Sequence, residues 1–270
     1  MERIKQALER ARAERAARVG AGSAAEQAEP AANAVSPGAG RSVRPDPRPV
    51  EVSWSSLYEN RVVGGGASSP LVDSYRILRT RTLQRMAEIE ARTLGITSAN
   101  PGEGKSLTAV NLAISIAGTS PVLLVDTDLR RPSLSRLFGL EPSAGLAECL
   151  RGEAGFGDCT FSPGVENLTV LPGGTPTTSS SELLASSRMT ELIQFIKHGA
   201  PETLLVFDLP PLMTTDDTLA VSPHLEAVLM VVEEGRTAVA DLERARELLK
   251  GTRFLGSVLN KSTQPHQVYY

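Results

Sequence analysis

Residues 96–106 read Ile-Thr-Ser-Ala-Asn-Pro-Gly-Glu-Gly-Lys-Ser, and this stretch decides which fold we expect. Counted from Ala99, it has the spacing of a phosphate-binding loop, with alanine in place of the usual first glycine. It follows the apolar run Leu94–Ala99 and opens a helical pattern at Lys105, the strand–loop–helix context that such a loop requires. We therefore predict a nucleotide-phosphate site where the first core strand passes into its helix.

The residue types in this loop suit the binding of an anion. Glycines at 102 and 104 let backbone N–H groups turn inward, and the start of the following helix adds a partial positive charge. The ammonium group of Lys105 would reach the phosphates, and the Ser106 hydroxyl would bind Mg²⁺. The alternative is an ordinary glycine-rich turn. The loop residues expected to bind the nucleotide are Pro101, Gly102, Glu103, Gly104, Lys105, Ser106 and Leu107.

Outward from the loop, apolar runs alternate with helical stretches from about residue 70 onward. The predicted strands are Leu94–Ala99, Val122–Asp126, Leu168–Leu171, Leu204–Asp208, Ala227–Val232 and Phe254–Asn260. The predicted helices are Pro70–Met86, Lys105–Ala117, Pro132–Phe138, Ser181–Ile196, Asp216–Val221 and Val239–Lys250. The apolar runs are mostly continuous, as they are in strands covered on both sides. We therefore expect an α/β fold with a mostly parallel sheet and helices on both faces.

Three aspartates follow predicted strands. Asp126 and Asp128 are two positions apart on extended backbone, so they share one face, and Asp208 ends another apolar strand. Ligands of open α/β sheets bind at the carboxyl ends of the strands, beside the phosphate loop. We expect Asp128, Asp208 and Ser106 to bind Mg²⁺, largely through water. Asn260, which ends the last run, either contacts adenine or forms a turn.

Composition excludes several classes of protein. The chain has 270 residues, a formal net charge of −3 and 4% aromatic residues, which disfavours a nucleic-acid partner. Cys149 and Cys159 form no CxxC pair, so a disulfide scaffold is excluded and a reduced cytosolic setting is expected. The charged start is unlike a signal peptide, and no apolar run approaches the roughly 18–20 residues of a membrane span.

The first 50 residues differ in composition from the rest. Residues 1–19 suit a short amphipathic helix, either solvated or docked on a partner or an anionic lipid surface. Residues 21–49 are rich in Ala, Gly, Pro and Ser, which predicts a flexible linker. The expected organisation is an N-terminal helix and disordered linker at 1–50, a P-loop domain at 51–261 and a flexible tail at 262–270.

Three stretches together resemble a known family. SANPGEGKS, LLVDTDLRRP and LLVFDLPP look like the Walker A, A′ and B motifs of bacterial tyrosine kinases (BY-kinases), more narrowly of autokinases linked to exopolysaccharide and exosortase gene clusters. The resemblance spans residues 70–261. It implies a P-loop NTPase of the MinD/ParA-like deviant Walker class that uses ATP and Mg²⁺. Partitioning ATPases of that class carry an early lysine where this chain has Asn100, so a lysine-finger dimer is not expected.

The resemblance also implies roles for individual residues. Lys105 and Asp126 are the catalytic residues it implies, with Asp126 orienting or deprotonating the incoming phenol. In the family, a Glu-x2-Arg-x2-Arg motif forms an oligomeric ring. The matching positions here are Asp73, Arg76 and Arg79, and a solvated salt-bridge face is the alternative. The implied autophosphorylation sites are Tyr269 and Tyr270. The alternative is that these two residues are a frayed chain end without such a role.

The implied activity is ATP-dependent autophosphorylation in trans, regulating exopolysaccharide synthesis or export. The implied partner is a transmembrane polysaccharide co-polymerase or chain-length activator, which would hold a cytoplasmic chain at the inner membrane. One alternative is an ATPase switch of such a complex without kinase activity. A DNA- or membrane-binding partitioning ATPase is opposed by Asn100 and by the acidic charge balance.

Overall fold

A computed structural model describes residues 47–63, 69–141 and 143–262. The predicted helix at 1–19, most of the predicted linker, and Tyr269 and Tyr270 lie outside the described residues. The strands within it are β1 (Arg48–Pro49), β2 (Thr93–Ser98), β3 (Val122–Asp126), β4 (Phe161–Ser162), β5 (Leu168–Leu171), β6 (Leu204–Asp208), β7 (Ala227–Glu233) and β8 (Phe254–Asn260). They form one sheet in the order β1-β4-β5-β3-β6-β2-β7-β8.

The described helices connect these strands. They are α1 (Trp54–Glu59), α2 (Pro70–Glu88), α3 (Lys105–Ala117), α4 (Leu134–Leu137), α5 (Leu146–Arg151), α6 (Phe156–Cys159), α7 (Ser180–Leu184), α8 (Ser187–Gly199), α9 (Asp217–Val221) and α10 (Val239–Leu248), with a short 3₁₀ turn at Ser222–His224. Between the described strands, every pairing is parallel except β4 with β5, which meet antiparallel at Phe161 and Val170. The predicted mostly parallel sheet is confirmed.

Helices cover both faces of the sheet, as predicted. Along β3, Val122 and Leu124 belong to one apolar cluster, whereas Leu123 and Val125 belong to the other. This alternation follows from the two-residue period of a strand, whose successive side chains point to opposite faces. Helices α2 and α3 contribute to the first cluster, and α5, α7, α8, α9 and α10 to the second. The central strands are therefore buried on both sides.

Two predicted helices differ most from the observed ones, whereas α2, α9 and α10 differ from their predictions by one or two residues at an end. The predicted helix Ser181–Ile196 is two helices, α7 and α8, because Ser186 caps the second by accepting from Met189 N (3.4 Å). The same hydroxyl donates to the carbonyl of Leu183 at the end of α7. The predicted helix Pro132–Phe138 shortens to α4, because the N–H groups of Ser133 and Leu134 turn to a carboxylate instead.

The boundary of the folded core also differs from the expected one. Arg48 and Pro49, expected at the end of the linker, form β1 and pair parallel with Phe161 and Ser162 at the sheet edge. The backbone N–H of Val50 donates to the carbonyl of Ser162 (3.0 Å). Proline is compatible with an edge strand, since an edge position needs no ladder donor on its outer side. The sheet therefore begins at Arg48, within the stretch expected to be linker.

Among the described residues, none of the helices is both long enough and apolar enough to cross a bilayer.

Candidate active site

The loop between β2 and α3 owes its shape to two glycines. Gly102 has φ +82° and Gly104, the N-cap of α3, has φ +96°, both in the left-handed region that favours glycine. A Cβ atom on Gly104 would also collide with the side-chain amide of Asn260. Any other residue at position 104 would therefore suffer both backbone strain and a steric clash.

Side chains from the end of β8 hold the carbonyl oxygens of this loop. Asn260 Nδ2 donates to the carbonyl of Glu103 (2.9 Å), and Lys261 Nζ donates to the carbonyl of Gly102 (2.7 Å). Because these two carbonyls are hydrogen-bonded on the side of β8, the loop can present its N–H groups to an anion on the opposite side. One of the two N–H donors of Asn260 is thus used within the protein, which leaves the other N–H and the side-chain oxygen for the predicted adenine contact.

The three aspartates converge on Lys105. Asp126 and Asp208 are register partners at the ends of the adjacent strands β3 and β6. Lys105 Nζ lies 3.3 Å from Asp208 Oδ1 and 3.3 Å from Asp128 Oδ2. It also donates to the hydroxyl of Ser106 (3.1 Å). The structure therefore brings together five residues that are up to 103 positions apart in the chain.

Asp126 is held in one orientation by backbone donors. Its Oδ2 accepts from the N–H groups of Ser133 (2.8 Å) and Leu134 (3.0 Å), and its Oδ1 accepts from the N–H of Asp128 (3.1 Å). A carboxylate has about four acceptor positions, so one position on Oδ1 remains for a further donor. This geometry suits a residue that receives a proton from, or orients, one incoming hydroxyl group.

The electrostatics of the cluster reflect its burial. Desolvation, together with the neighbouring charge of Asp208, raises the pKa of Asp126 to about 7, against the opposing backbone N–H donors and the charge of Lys105. Burial likewise raises the pKa of Asp208, although Lys105 opposes that shift. Desolvation would lower the pKa of Lys105, but Asp208, Asp128 and Asp126 outweigh it and the pKa is raised. Lys105 is therefore a permanent cation within a group of crowded acids.

The residues fit a magnesium ion with nucleotide phosphates. Asp208 Oδ2 is buried and accepts no hydrogen bond from any residue that the structure describes. A buried oxygen without a donor carries an energetic cost that a cation removes. Together with Asp128 and the Ser106 hydroxyl, it forms the set of hard oxygen donors that Mg²⁺ prefers. The glycine loop supplies the adjoining anion-binding backbone.

Two predicted loop residues have roles that the sequence did not indicate. The side chain of Glu103 is 1% exposed and turns away from the anion-binding side. Asn100 Nδ2 donates to Asp241 Oδ2 (2.9 Å) on α10. Thr237, Asp241 and Lys261 contact the loop although no motif contains them. Such contacts depend on tertiary proximity, and sequence spacing carries no signal for them.

The predicted oligomer motif divides into two parts on α2. Asp73 and Arg76 form an exposed pair (3.1 Å). Arg79 instead donates to the carbonyl of Ser115 on α3 (3.1 Å), so its guanidinium joins two helices of the same chain. Tertiary packing therefore uses Arg79 within the chain and leaves Asp73 and Arg76 exposed, and a role of the three residues in a ring stays a prediction.

The tyrosines outside the tail occupy different surroundings. Tyr58 on α1 is 58% exposed, whereas Tyr75 on α2 is partly buried against the apolar cluster under α3.

Comparison with known proteins identifies similar chains. A ParA family profile, described as NUBPL iron-transfer P-loop NTPase, matches residues 90–265. The tyrosine-protein kinase YwqD of Bacillus subtilis (strain 168) is 31% identical over 201 residues, covering 73% of this chain and 84% of YwqD. The succinoglycan biosynthesis transport protein ExoP of Rhizobium meliloti (strain 1021) is 34% identical over 210 residues, covering 75% of this chain but only 26% of ExoP.

A solved structure extends the comparison to the fold. The kinase domain of the Escherichia coli tyrosine kinase ETK superimposes with a TM-score of 0.66 at 28% identity, covering 74% of this chain and 80% of that domain. The similarity therefore extends over about three quarters of the chain.

Proposed function

Because this chain belongs to the bacterial tyrosine-protein kinases, within the ParA-type P-loop NTPases, we propose that it transfers a phosphoryl group from ATP to its own Tyr269 and Tyr270 in trans. The observation that carries the proposal is the convergence of Lys105 with the carboxylates of Asp126, Asp128 and Asp208 beside the glycine loop. Mg-ATP, when bound, supplies the transferable phosphoryl group and the cation that neutralises its charge.

Each residue of the cluster has a separate role in the proposed reaction. The glycine loop and Lys105 would hold the phosphates, with Gly102, Glu103, Gly104 and Leu107 contributing backbone N–H groups and Pro101, which has no N–H, shaping the loop. Ser106, Asp128 and Asp208 would hold Mg²⁺. Asn260 would contact adenine through its side-chain oxygen or its second N–H, because one N–H is bound to the carbonyl of Glu103.

Asp126 would act on the acceptor tyrosine. A phenol has a pKa near 10, so a carboxylate contributes more by orientation than by basicity. Three backbone donors fix the Asp126 carboxylate, and one acceptor position on Oδ1 remains for the phenol proton. Fixed geometry of this kind lowers the entropic part of the barrier, since the reacting groups meet already aligned.

The proposed biological setting is exopolysaccharide synthesis or export. ExoP is named as a biosynthesis transport protein, and this chain corresponds to about a quarter of it. We expect a separate membrane protein of the polysaccharide co-polymerase class to supply the remaining parts and to hold this chain at the inner membrane. The exposed pair of Asp73 and Arg76 would contribute to a homo-oligomer, with Arg79 supporting α2 from inside.

A phosphorylation map tests the proposal. The full chain is incubated with Mg-ATP, alone and with membranes of the producing cells, and phosphotyrosine is located by mass spectrometry. We expect label on Tyr269 and Tyr270, no label with Lys105→Met, and loss of most label with Tyr269→Phe/Tyr270→Phe. Tyr58→Phe is the matched control, because it removes an exposed tyrosine outside the tail.

Two results would contradict the proposal. Equal absence of phosphotyrosine in wild type and Lys105→Met, under both conditions, would reject kinase activity. ATP hydrolysis that depends on Lys105 but yields no phosphotyrosine would instead favour the ATPase switch.

A further inference from the structure

Glu103 carries a buried carboxylate inside a loop that binds anions. Its side chain is 1% exposed, and a negative charge facing the phosphates would oppose their binding. The carboxylate instead turns inward and accepts two hydrogen bonds. Its Oε2 accepts from the backbone N–H of Asn100 (3.2 Å), and its Oε1 accepts from the hydroxyl of Thr237 (2.6 Å). The carboxylate of Glu103 therefore binds donors within the protein and does not face the ligand.

These two bonds join different parts of the molecule. Asn100 lies at the start of the phosphate loop, three residues before Glu103, so the first bond closes the loop on itself. Thr237 lies between β7 and α10, 134 residues away in sequence, so the second bond anchors the closed loop to the neighbouring strand connection. The Thr237 hydroxyl also accepts from the backbone N–H of Glu233 (2.9 Å) at the end of β7. The loop is thus tied to the sheet through one hydroxyl group.

The anchoring acts on the same residues that shape the anion site. Glu103 lies between Gly102 and Gly104, the two loop positions with left-handed backbone. Its own carbonyl is bound by Asn260, so both its backbone and its side chain are held from the β7–β8 side. A loop that presents its N–H groups in a fixed direction binds phosphate more tightly than one that must first order itself.

We infer that Glu103 and Thr237 are a pair of positioning residues that hold the phosphate loop in the shape required to bind nucleotide phosphates. The inference rests on the proposed function, because it assigns a role within the same nucleotide site. Neither side chain touches the nucleotide. Their effect is on the affinity for the phosphates and not on the rate of transfer once ATP is bound.

Two substitutions at Thr237 test the pair. Thr237→Val removes the hydroxyl with little change in volume, and Thr237→Ser keeps it. A hydrogen bond to a charged group is among the stronger ones, so we expect the Kd of Mg-ADP, measured by isothermal titration calorimetry on the full chain, to rise about tenfold or more in Thr237→Val. Thr237→Ser should stay within about twofold of wild type, because the hydroxyl can still donate to Glu103.

A matched control separates positioning from general destabilisation. Thr160 is a buried threonine whose hydroxyl donates to the carbonyl of Gly157 (3.1 Å), whereas Thr237 is partly buried. Thr160 lies beside β4, four strands away from β2 in the sheet. Thr160→Val therefore makes the same chemical change far from the loop. It should lower the unfolding temperature by a similar amount while the Kd of Mg-ADP stays within about twofold of wild type.

A double-mutant cycle and steady-state kinetics complete the test. If the two residues act as a unit, Glu103→Gln/Thr237→Val should bind Mg-ADP no more than about twofold less tightly than the weaker single variant. The KM for ATP should rise in Thr237→Val while kcat changes less than threefold.

The outcomes distinguish this inference from the proposed function. Wild-type affinity in Thr237→Val, multiplicative losses in the double variant, or an equal loss of affinity in Thr160→Val would overturn the positioning role. A wild-type chain that binds no Mg-ADP would reject the proposed function itself.

Discussion

Substitution of Gly104 by alanine tests the geometry of the phosphate loop most directly. The residue has φ +96°, and a Cβ atom there would collide with the side-chain amide of Asn260. Left-handed backbone costs a non-glycine residue about 1–2 kcal/mol. Displacing Asn260 also breaks its hydrogen bond to the carbonyl of Glu103, worth about 1 kcal/mol.

The sum of these costs, about 2–3 kcal/mol, should appear in nucleotide binding. Without ligand the loop escapes the strain by moving, so binding must restore the strained shape at that cost. Each 1.4 kcal/mol is tenfold in affinity, which predicts a Kd for Mg-ADP about 30- to 150-fold above that of wild type. The assay is isothermal titration calorimetry of the full chain, with thermal unfolding measured in parallel.

Gly164→Ala is the control for backbone strain alone. Gly164 has φ +74° in the turn after β4, and a Cβ atom there would meet nothing within 4 Å. It should lose about 1–2 kcal/mol of unfolding free energy and keep wild-type affinity. Unchanged affinity in Gly104→Ala, or an equal loss of affinity in Gly164→Ala, would refute the role assigned to the loop geometry.

Three further predictions concern the carboxylate cluster and helix α2. Asp208→Asn should lower phosphotyrosine formation by about 100-fold or more, because a metal ligand is lost. The unfolding temperature of the nucleotide-free chain should change by only a few degrees, because the substitution also removes a buried charge. A kinase assay measures the first effect and scanning fluorimetry the second. Burial raises the pKa of Asp126 to about 7, so the folded state binds the proton of this carboxyl group more tightly than the unfolded chain does. The stabilisation that this proton gives is complete below about pH 4 and is lost as the pH rises to about 7. Urea titrations should show a larger loss in wild type than in Asp126→Asn, in which the raised pKa of Asp208 still contributes; parallel curves would contradict it. Arg79→Ala should cost about 1–2 kcal/mol of unfolding free energy, because it loses the hydrogen bond to the carbonyl of Ser115. Arg76→Ala should cost under about 1 kcal/mol and should weaken self-association in analytical ultracentrifugation. Equal unfolding costs for the two variants would show that Arg79 does not join α2 to α3.

Local sequence patterns were sufficient for the central elements. The bounds of β3, β5, β6, β8 and α3 match the predicted runs, because long apolar runs and a helix opening at Lys105 leave few alternatives. The short elements were missed. Strands of two residues, such as β1 and β4, bury too little to leave a pattern, and they form only because the adjoining edge of the sheet is available.

The split of one predicted helix into α7 and α8 shows a different limit. Apolar residues continue through the junction at helical spacing, so periodicity predicts one helix. Ser186 offers its hydroxyl to both helix ends, and this competition with the backbone ends one helix and begins the next. A single serine in an apolar pattern is not enough to predict that outcome.

The chemistry of the site could be anticipated from the residues, whereas its assembly could not. A glycine loop before a helix and acids at strand ends have the required character wherever they occur, because backbone freedom and charge are properties of the residues themselves. Sequence patterns could not show that Glu103 turns inward to Thr237, that Asn260 and Lys261 bind the loop carbonyls, or that Arg79 turns to Ser115. These contacts join residues 36 to 159 positions apart, and their partners are selected by strand order and packing, which exist only in the folded sheet.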